Sequence, residues 1–460
     1  MTKRLARTVL CTGALALALG ASASAANFTP GSPGLGDPMF PNAGNGGYDV
    51  QHYGLTLDYT PSSNQLTATA VISARATQDL SSFNLDLRGF AISRLLVDGD
   101  AATFTRDGGQ ELTVTPRTGI VAGTTFSTTI DYAGTPTVVT DPDNSIEGWV
   151  PTDDGAFVVN EPQGSPAWYP CNDNPRDKAT FDFRITVPEG LTALANGVLV
   201  SNATSGGTTT WVWRESDPMS TYLATATLGK FDLEISNVGS IPSYIAVDPK
   251  LAKGQVLSKL PEVVKLYESI YGPYPFNAVG AIVDDAKIVG YSLETQTKPN
   301  FPSMPDEATL VHELSHMWFG DSLTLVNWPD IWLHEGFATW SEWIWSERQG
   351  NKSAAQYLDQ YLNTPATKTS FWGPAVDNFL DPALLFNGTV YTRGAMTLQA
   401  LREKIGDLAF FQLLRDWATQ NRYGNVTTPQ FIALAEQESQ MDLTAFFDAW
   451  IFQDAKPTIW

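Results

Sequence analysis

The chain is 460 residues long, 43% hydrophobic and 17% charged, a balance that excludes a disordered or fibrous protein and allows more than one packed core. Asp and Glu number 49 against 28 Lys and Arg, for a formal net charge of −21. Nucleic acid or an anionic membrane would be bound against that field, and both are set aside as partners.

At the start, Lys3, Arg4 and Arg7 precede an apolar run from Thr8 to Leu19, and Ala23-Ser24-Ala25 has the small-x-small spacing of a signal-peptidase site. Residues 1–25 therefore read as a cleaved secretory signal peptide, which predicts a secreted or periplasmic protein. No later segment approaches the roughly 20 apolar residues of a membrane span. Cys11 would leave with the leader, so the mature chain is expected to carry one thiol, Cys171, and no internal disulfide.

Residues 26–47 form a Gly/Pro-rich arm whose backbone demands suit neither helix nor strand. From Tyr48 to Val238 apolar residues alternate, as in Tyr53, Leu55, Leu57 and Tyr59 or Phe83, Leu85 and Leu87, between turn-rich pieces. That pattern predicts an N-terminal antiparallel β domain over 48–238. From residue 239 helical periods take over, as in QVLSKLPEVVKLYESIYG and IWLHEGFATWSEWIWSERQG, several of them stopping at a glycine such as Gly320, Gly350 or Gly406. The segment NAVGAIVDDAKIVGYSLETQ reads as two short strands, so the second domain, 239–460, is mainly helical and the class is α+β.

Of four histidines, His52, His312, His316 and His334, the last three fall within 23 residues. His312-Glu313-Leu314-Ser315-His316 is an H-E-x-x-H pattern: spacing of i and i+4 on a helix points both imidazoles the same way and leaves Glu313 beside a metal's open position. A catalytic zinc site needs a third protein ligand. Glu335, with 18 residues between it and His316, is placed to return on an adjacent helix. His334 competes with it, but neighbouring helical residues differ by about 100° and only one can face the metal. Glu342, seven residues on and on the same helical face, either orients a ligand or is solvated.

HELSHMWFG followed by WLHEGFA, with 18 residues between the second histidine and the glutamate, resembles the zinc aminopeptidases of the aminopeptidase N family. The resemblance spans roughly Tyr48 to Trp460 and implies a thermolysin-like catalytic domain in a short form without the large C-terminal helical domain. In Val390-Tyr391-Thr392-Arg393-Gly394-Ala395, Tyr391 stands where the family's Tyr donates to the tetrahedral intermediate. Tyr291-Ser292-Leu293-Glu294-Thr295 keeps only the Glu of the family's G-A-M-E-N segment, on a predicted strand. Asn160-Glu161-Pro162, with the following Pro170-Cys171-Asn172-Asp173-Asn174-Pro175, brings a second N-terminus-binding Glu, although Val159 replaces the Gln of many members.

By that resemblance His312, His316 and Glu335 hold one zinc ion whose bound water is the nucleophile. Glu313 is the general base, Tyr391 the oxyanion donor, and Glu161 and Glu294 grip a free α-ammonium. The function implied is that of an exported zinc aminopeptidase acting on peptides with a free N-terminus. A zinc endopeptidase or oligopeptidase would share the metal but lack a working amine site, and a silent zinc-stabilised peptide-binding protein would lack turnover.

Overall fold

A computed structural model describes residues 27–252, 254–377 and 379–458; the leader expected over 1–25 lies outside the described residues. In strand Tyr48–Thr60 the side chains of Tyr53, Leu55, Leu57 and Tyr59 are buried while those between them face outward, the period-2 pattern of a half-buried strand. The strand sits fourth in an eight-stranded sheet running Val198–Ser205, Thr208–Ser220, Lys178–Pro188, Tyr48–Thr60, Gln65–Ala76, Thr125–Gly134, Ala91–Val97, Asp100–Ala101. Its neighbour Lys178–Pro188 lies parallel to it, with Phe183 beside Leu55. The sheet is therefore mixed, not antiparallel throughout: alternation reports a half-buried strand but not its partner's direction.

A five-stranded sheet, Val138–Thr140, Ile146–Pro151, Ala156–Val159, Ala226–Gly229, Thr192–Ala195, forms another layer of this half. The Gly/Pro-rich arm is ordered where described. Thr29–Pro30 pairs with Leu80–Asp86. Asp37 Oδ1 accepts from the backbone N–H groups of Met39 (2.8 Å) and Phe40 (2.9 Å), and its Oδ2 accepts from Trp328 N–H (2.8 Å) in the helical half.

Asp232–Val238 and Ile241–Val247 form a hairpin that shares a sheet with Val279–Val283 and Asn300–Phe301. Residue 238 thus lies at a hairpin turn, and the chain changes sheet between Gly229 and Asp232. Of the two short strands expected around residues 277–296, only Val279–Val283 forms. The second is replaced by a loop in which Leu293 and Asn300 exchange backbone hydrogen bonds (2.9 and 2.7 Å) as an isolated bridge. The chain reverses between Thr295 and Lys298, with Thr297 at φ 72°, so pairing stops after one residue.

Among the described residues eight α-helices follow: α1 (Leu260–Tyr271), α2 (Glu307–Ser315), α3 (Trp332–Arg348), α4 (Ala354–Leu362), α5 (Thr369–Trp372), α6 (Gly394–Gln420, broken at Gly406, φ 80°), α7 (Thr428–Ser439) and α8 (Thr444–Ile451). One continuous apolar core runs from Met39 to Ile451 through both halves. A separate cluster joins Val150, Phe157 and Val159 of the five-stranded sheet to Ala286, Val289 and Leu293 of the loop. That cluster fixes the loop against the β half. No described helix is long and apolar enough to cross a membrane.

Candidate active site

Helix α2 starts at Asp306, whose Oδ1 accepts from Thr309 N–H (2.8 Å) and satisfies one of the orphan donors of the first turn. The helix reaches His312 in its last turn and His316 at its C-cap, with the two imidazole centroids 4.9 Å apart. Glu335 enters from the first turn of α3. Its Oε2 lies 3.1 Å from His312 Nε2 and 3.6 Å from His316 Nε2. The other ring nitrogens are committed: His312 Nδ1 donates to Glu342 Oε1 (2.7 Å) and His316 Nδ1 to the carbonyl of Phe319 (3.0 Å). Those bonds leave both Nε2 atoms facing Glu335, with His312 Nε2 hydrogen-bonded to it, and in neutral imidazoles held this way Nε2 is the nitrogen left to bind a metal.

The turn after His316 is held from the β half. Tyr222 Oη donates to the Gly320 carbonyl (3.0 Å), and Lys178 Nζ to those of Asp321 (3.0 Å) and Ser322 (2.8 Å). Gly320, at φ 144°, leaves no room for a side chain, since a Cβ there would come within 3.0 Å of His316 Nδ1. His334 is fully buried and is not among the residues lining the cavity, so Glu335 is the member of that pair that faces the histidines.

The three donor atoms lie within 4.8 Å of one another at the floor of a cavity of about 240 Å³. Glu161, Glu294, Glu313 and Tyr391 line it as well. Glu161 lies two residues beyond strand Ala156–Val159, and Glu294 on the loop that the small apolar cluster pins to that strand. Val159 packs in this cluster. Glu161 is 5% and Glu294 3% exposed, and Oε1 of each has no hydrogen-bond partner among the described residues. A buried carboxylate left unpaired is costly, so this pair calls for a cation that the protein does not itself provide.

Burial, then repulsion from neighbouring carboxylates, pushes both Glu161 and Glu294 well above the usual carboxylate range, the largest repulsion coming from Glu294 on Glu161 and from Glu335 and Glu313 on Glu294. Burial also raises Glu313 to about 8, with repulsion from Glu335 and Glu342 opposing the pull of His312. Burial alone would lower His312, yet its hydrogen bonds to Glu335 and Glu342 hold it well above the ordinary histidine value. Each of these directions describes the protein without a dication, which would draw the surrounding carboxylates back toward ionisation. Tyr391 sits in a single π-helical turn, Thr389–Arg393, with its ring 6.1 Å from that of His312. Burial and the nearby carboxylates raise its phenol well above 10, so it stays protonated, a donor, at neutral pH.

Two imidazoles and a carboxylate with their donor atoms this close are the donor set that a mononuclear zinc centre of the catalytic type requires. The sequence patterns of known families place it further. The Peptidase M1 N-terminal domain matches residues 49–223 and the Peptidase family M1 domain residues 296–450. The chain belongs to the peptidase M1 family, whose metal is zinc. It is 27% identical over 322 residues to Aminopeptidase M1-D of Oryza sativa subsp. japonica, covering 63% of this chain and 36% of that one. It is 26% identical over 342 residues to Aminopeptidase N of Streptomyces lividans, covering 65% and 38%. The chain thus spans well under half the length of these relatives. The M1 zinc metallopeptidase of Deinococcus radiodurans superposes with a TM-score of 0.81 at 30% identity, over 88% of this chain and 93% of that one. A variant of that enzyme has been seen with a Tyr-Ser-Ala substrate, matching with a TM-score of 0.83 at 28% identity and covering 93% and 98%.

Sequence spacing does not point to Asp143, Ser145 and Phe386, which also line the cavity. Asp143 and Ser145 share one loop and Phe386 stands on another far along the chain, and none carries a motif.

Proposed function

We propose that this chain is an exported zinc aminopeptidase that removes N-terminal residues from peptides. The observation that carries the reading is the pair of buried carboxylates, Glu161 and Glu294, each with an Oε1 that has no partner among the described residues, in the same cavity as the His312, His316 and Glu335 donors. The mainly helical half, with the two histidines on α2 and the glutamate on α3, is read as a thermolysin-like catalytic domain. Export rests on the charge and apolar pattern of residues 1–25, outside the described residues.

When bound by His312, His316 and Glu335, zinc supplies Lewis acidity to water and to the scissile carbonyl. Glu313 takes the proton of the attacking water and delivers it to the departing amine. Tyr391 donates its phenolic proton as a hydrogen bond to the oxygen on which negative charge develops. Glu161 and Glu294 receive the α-ammonium, so a single residue fits between them and the scissile bond. An acetylated end would leave both carboxylates buried without their cation.

The test is hydrolysis of one peptide series with free and N-acetylated ends by the zinc-loaded protein, with Glu313→Gln as the blank. Stepwise release from free-ended peptides, lost by at least about 100-fold in Glu313→Gln, is expected. Internal cleavage of acetylated peptides at equal rate would replace this reading with that of an endopeptidase.

A further inference from the structure

One carboxylate in the cavity has no task in this chemistry. Asp143 stands on the loop between strands Val138–Thr140 and Ile146–Pro151. Its Oδ1 accepts from the backbone N–H (2.9 Å) and hydroxyl (2.6 Å) of Ser145, while Oδ2 accepts no hydrogen bond among the described residues. Beside it in the cavity wall is Tyr291, whose hydroxyl is shut off from solvent and also lacks a partner. The charges bearing on that phenol are Glu147 of strand Ile146–Pro151, Glu161, Asp141 of the Asp143 loop and Glu294. With an α-ammonium held by Glu161 and Glu294, the side chain of a peptide's first residue would run along the part of the cavity that Tyr291 and Asp143 line. Phe386 adds an apolar wall.

Charge favours one class of side chain here. The cavity is lined by the carboxylates of Asp143, Glu161, Glu294, Glu313 and Glu335 and by no Lys or Arg. A dication and the α-ammonium leave that group still net negative. The apolar stem of a long basic side chain can lie along Phe386 and the Tyr291 ring while its charged end meets the free oxygen of Asp143, a charge-assisted hydrogen bond in a partly dry site. A leucine would gain the wall but not the pair, and a glutamate would meet repulsion.

We infer that Asp143, with Ser145 and Tyr291 beside it, receives the side chain of the substrate's first residue, and that this residue is preferentially Arg or Lys. The inference rests on the amine-binding role of Glu161 and Glu294 proposed above. Asp143→Asn is the informative variant because its amide oxygen can still accept both bonds from Ser145, which keeps the turn while removing the charge.

The experiment compares kcat/KM for Arg-, Lys-, Leu- and Glu-aminoacyl coumarin amides in the zinc-loaded wild type and Asp143→Asn. Calorimetric binding of L-argininamide and L-leucinamide to both proteins accompanies it. The wild type is expected to favour Arg and Lys over Leu by at least about tenfold, and Glu least. In Asp143→Asn the Arg-to-Leu ratio falls by about tenfold, chiefly through KM for Arg, and the binding ratio falls with it. A ratio unchanged in the variant would show that Asp143 only holds its own turn and would overturn the inference, as would a wild type that favours Leu or Glu. If no amide is hydrolysed, the aminopeptidase reading fails by itself. The calorimetric ratio then decides the pocket: tighter binding of argininamide that Asp143→Asn abolishes supports it, and equal binding of the two amides overturns it.

Discussion

Glu342 never reaches the metal position, yet it decides which nitrogen of His312 does. Its Oε1 accepts from Nδ1 at 2.7 Å, fixing the ring plane and making Nε2 the more basic donor. Glu342→Ala is expected to weaken zinc binding by about 10- to 100-fold in a chelator competition at pH 7.5, with Glu342→Gln between the two because an amide oxygen still accepts the bond. Equal affinity in all three proteins would mean that the ring is held by packing alone. The His312, Glu313, His316 and Glu335 set could be read from the sequence because helical spacing is a local rule: four residues apart is one face. The same rule put Glu342, seven residues after Glu335, on that helical face but left open whether it orients a ligand or is solvated. Glu161 and Glu294 needed the family resemblance, since a lone Glu carries no spacing signal. Asp143 was hidden altogether, because its place in the cavity depends on a loop brought from another sheet.

Two helices meet through glycine at the centre of the site. A Cβ on Gly336 of α3 would lie 2.9 Å from Gly394 Cα and 3.0 Å from its carbonyl carbon on α6, closer than side chains pack against backbone. This contact sets the distance between Glu335, the residue before Gly336, and Tyr391, three residues before Gly394. Gly336→Ala gains about 1 kcal/mol of helix propensity but must push two backbones apart. The net expectation is a loss of about 1–2 kcal/mol in urea unfolding, together with a fall in kcat larger than any change in KM, as Tyr391 moves off the reacting carbonyl. Stability and kcat both equal to wild type would show that the helices have slack to absorb a methyl group. Helix periods in the second half were visible in the sequence, as was the stop at Gly350, which adopts φ 76° just beyond α3. The π-helical turn around Tyr391 was not, because one turn is too short to impose a period. The strand expected around Glu294 failed for a related reason: apolar residues there pack on the β half as a loop rather than pairing along a ladder.

At the scale of the whole molecule the Gly/Pro-rich arm and one arginine tie the two halves together. Composition marked the arm as irregular but could not say what it touches, and alternation in the strands could not reveal that Lys178–Pro188 runs parallel to Tyr48–Thr60. Both facts depend on contacts between residues more than a hundred positions apart. Arg176, just ahead of that strand, donates through Nη1 to the Leu35 carbonyl in the arm (2.8 Å), through Nε to the Val326 carbonyl and through Nη2 to Asn327 Oδ1 in the helical half. Asp37 completes the clasp through Trp328 N–H, next to the edge-on contact of Phe40 with the Trp328 ring. One planar guanidinium thus serves three acceptors on two segments, an arrangement a lysine ammonium cannot reproduce. Arg176→Ala removes all three bonds and leaves partly buried acceptors unpaired, a cost of about 2–4 kcal/mol, less than the sum of three charge-assisted bonds because they share one side chain. The expected result is a lower urea midpoint and earlier proteolytic cutting in the 27–47 arm, with Arg176→Lys recovering only part of the loss. An unchanged midpoint with an arm no more sensitive to protease would instead assign the clasp to Asp37 and the Phe40–Trp328 contact, and Asp37→Ala should then produce the same two effects by itself.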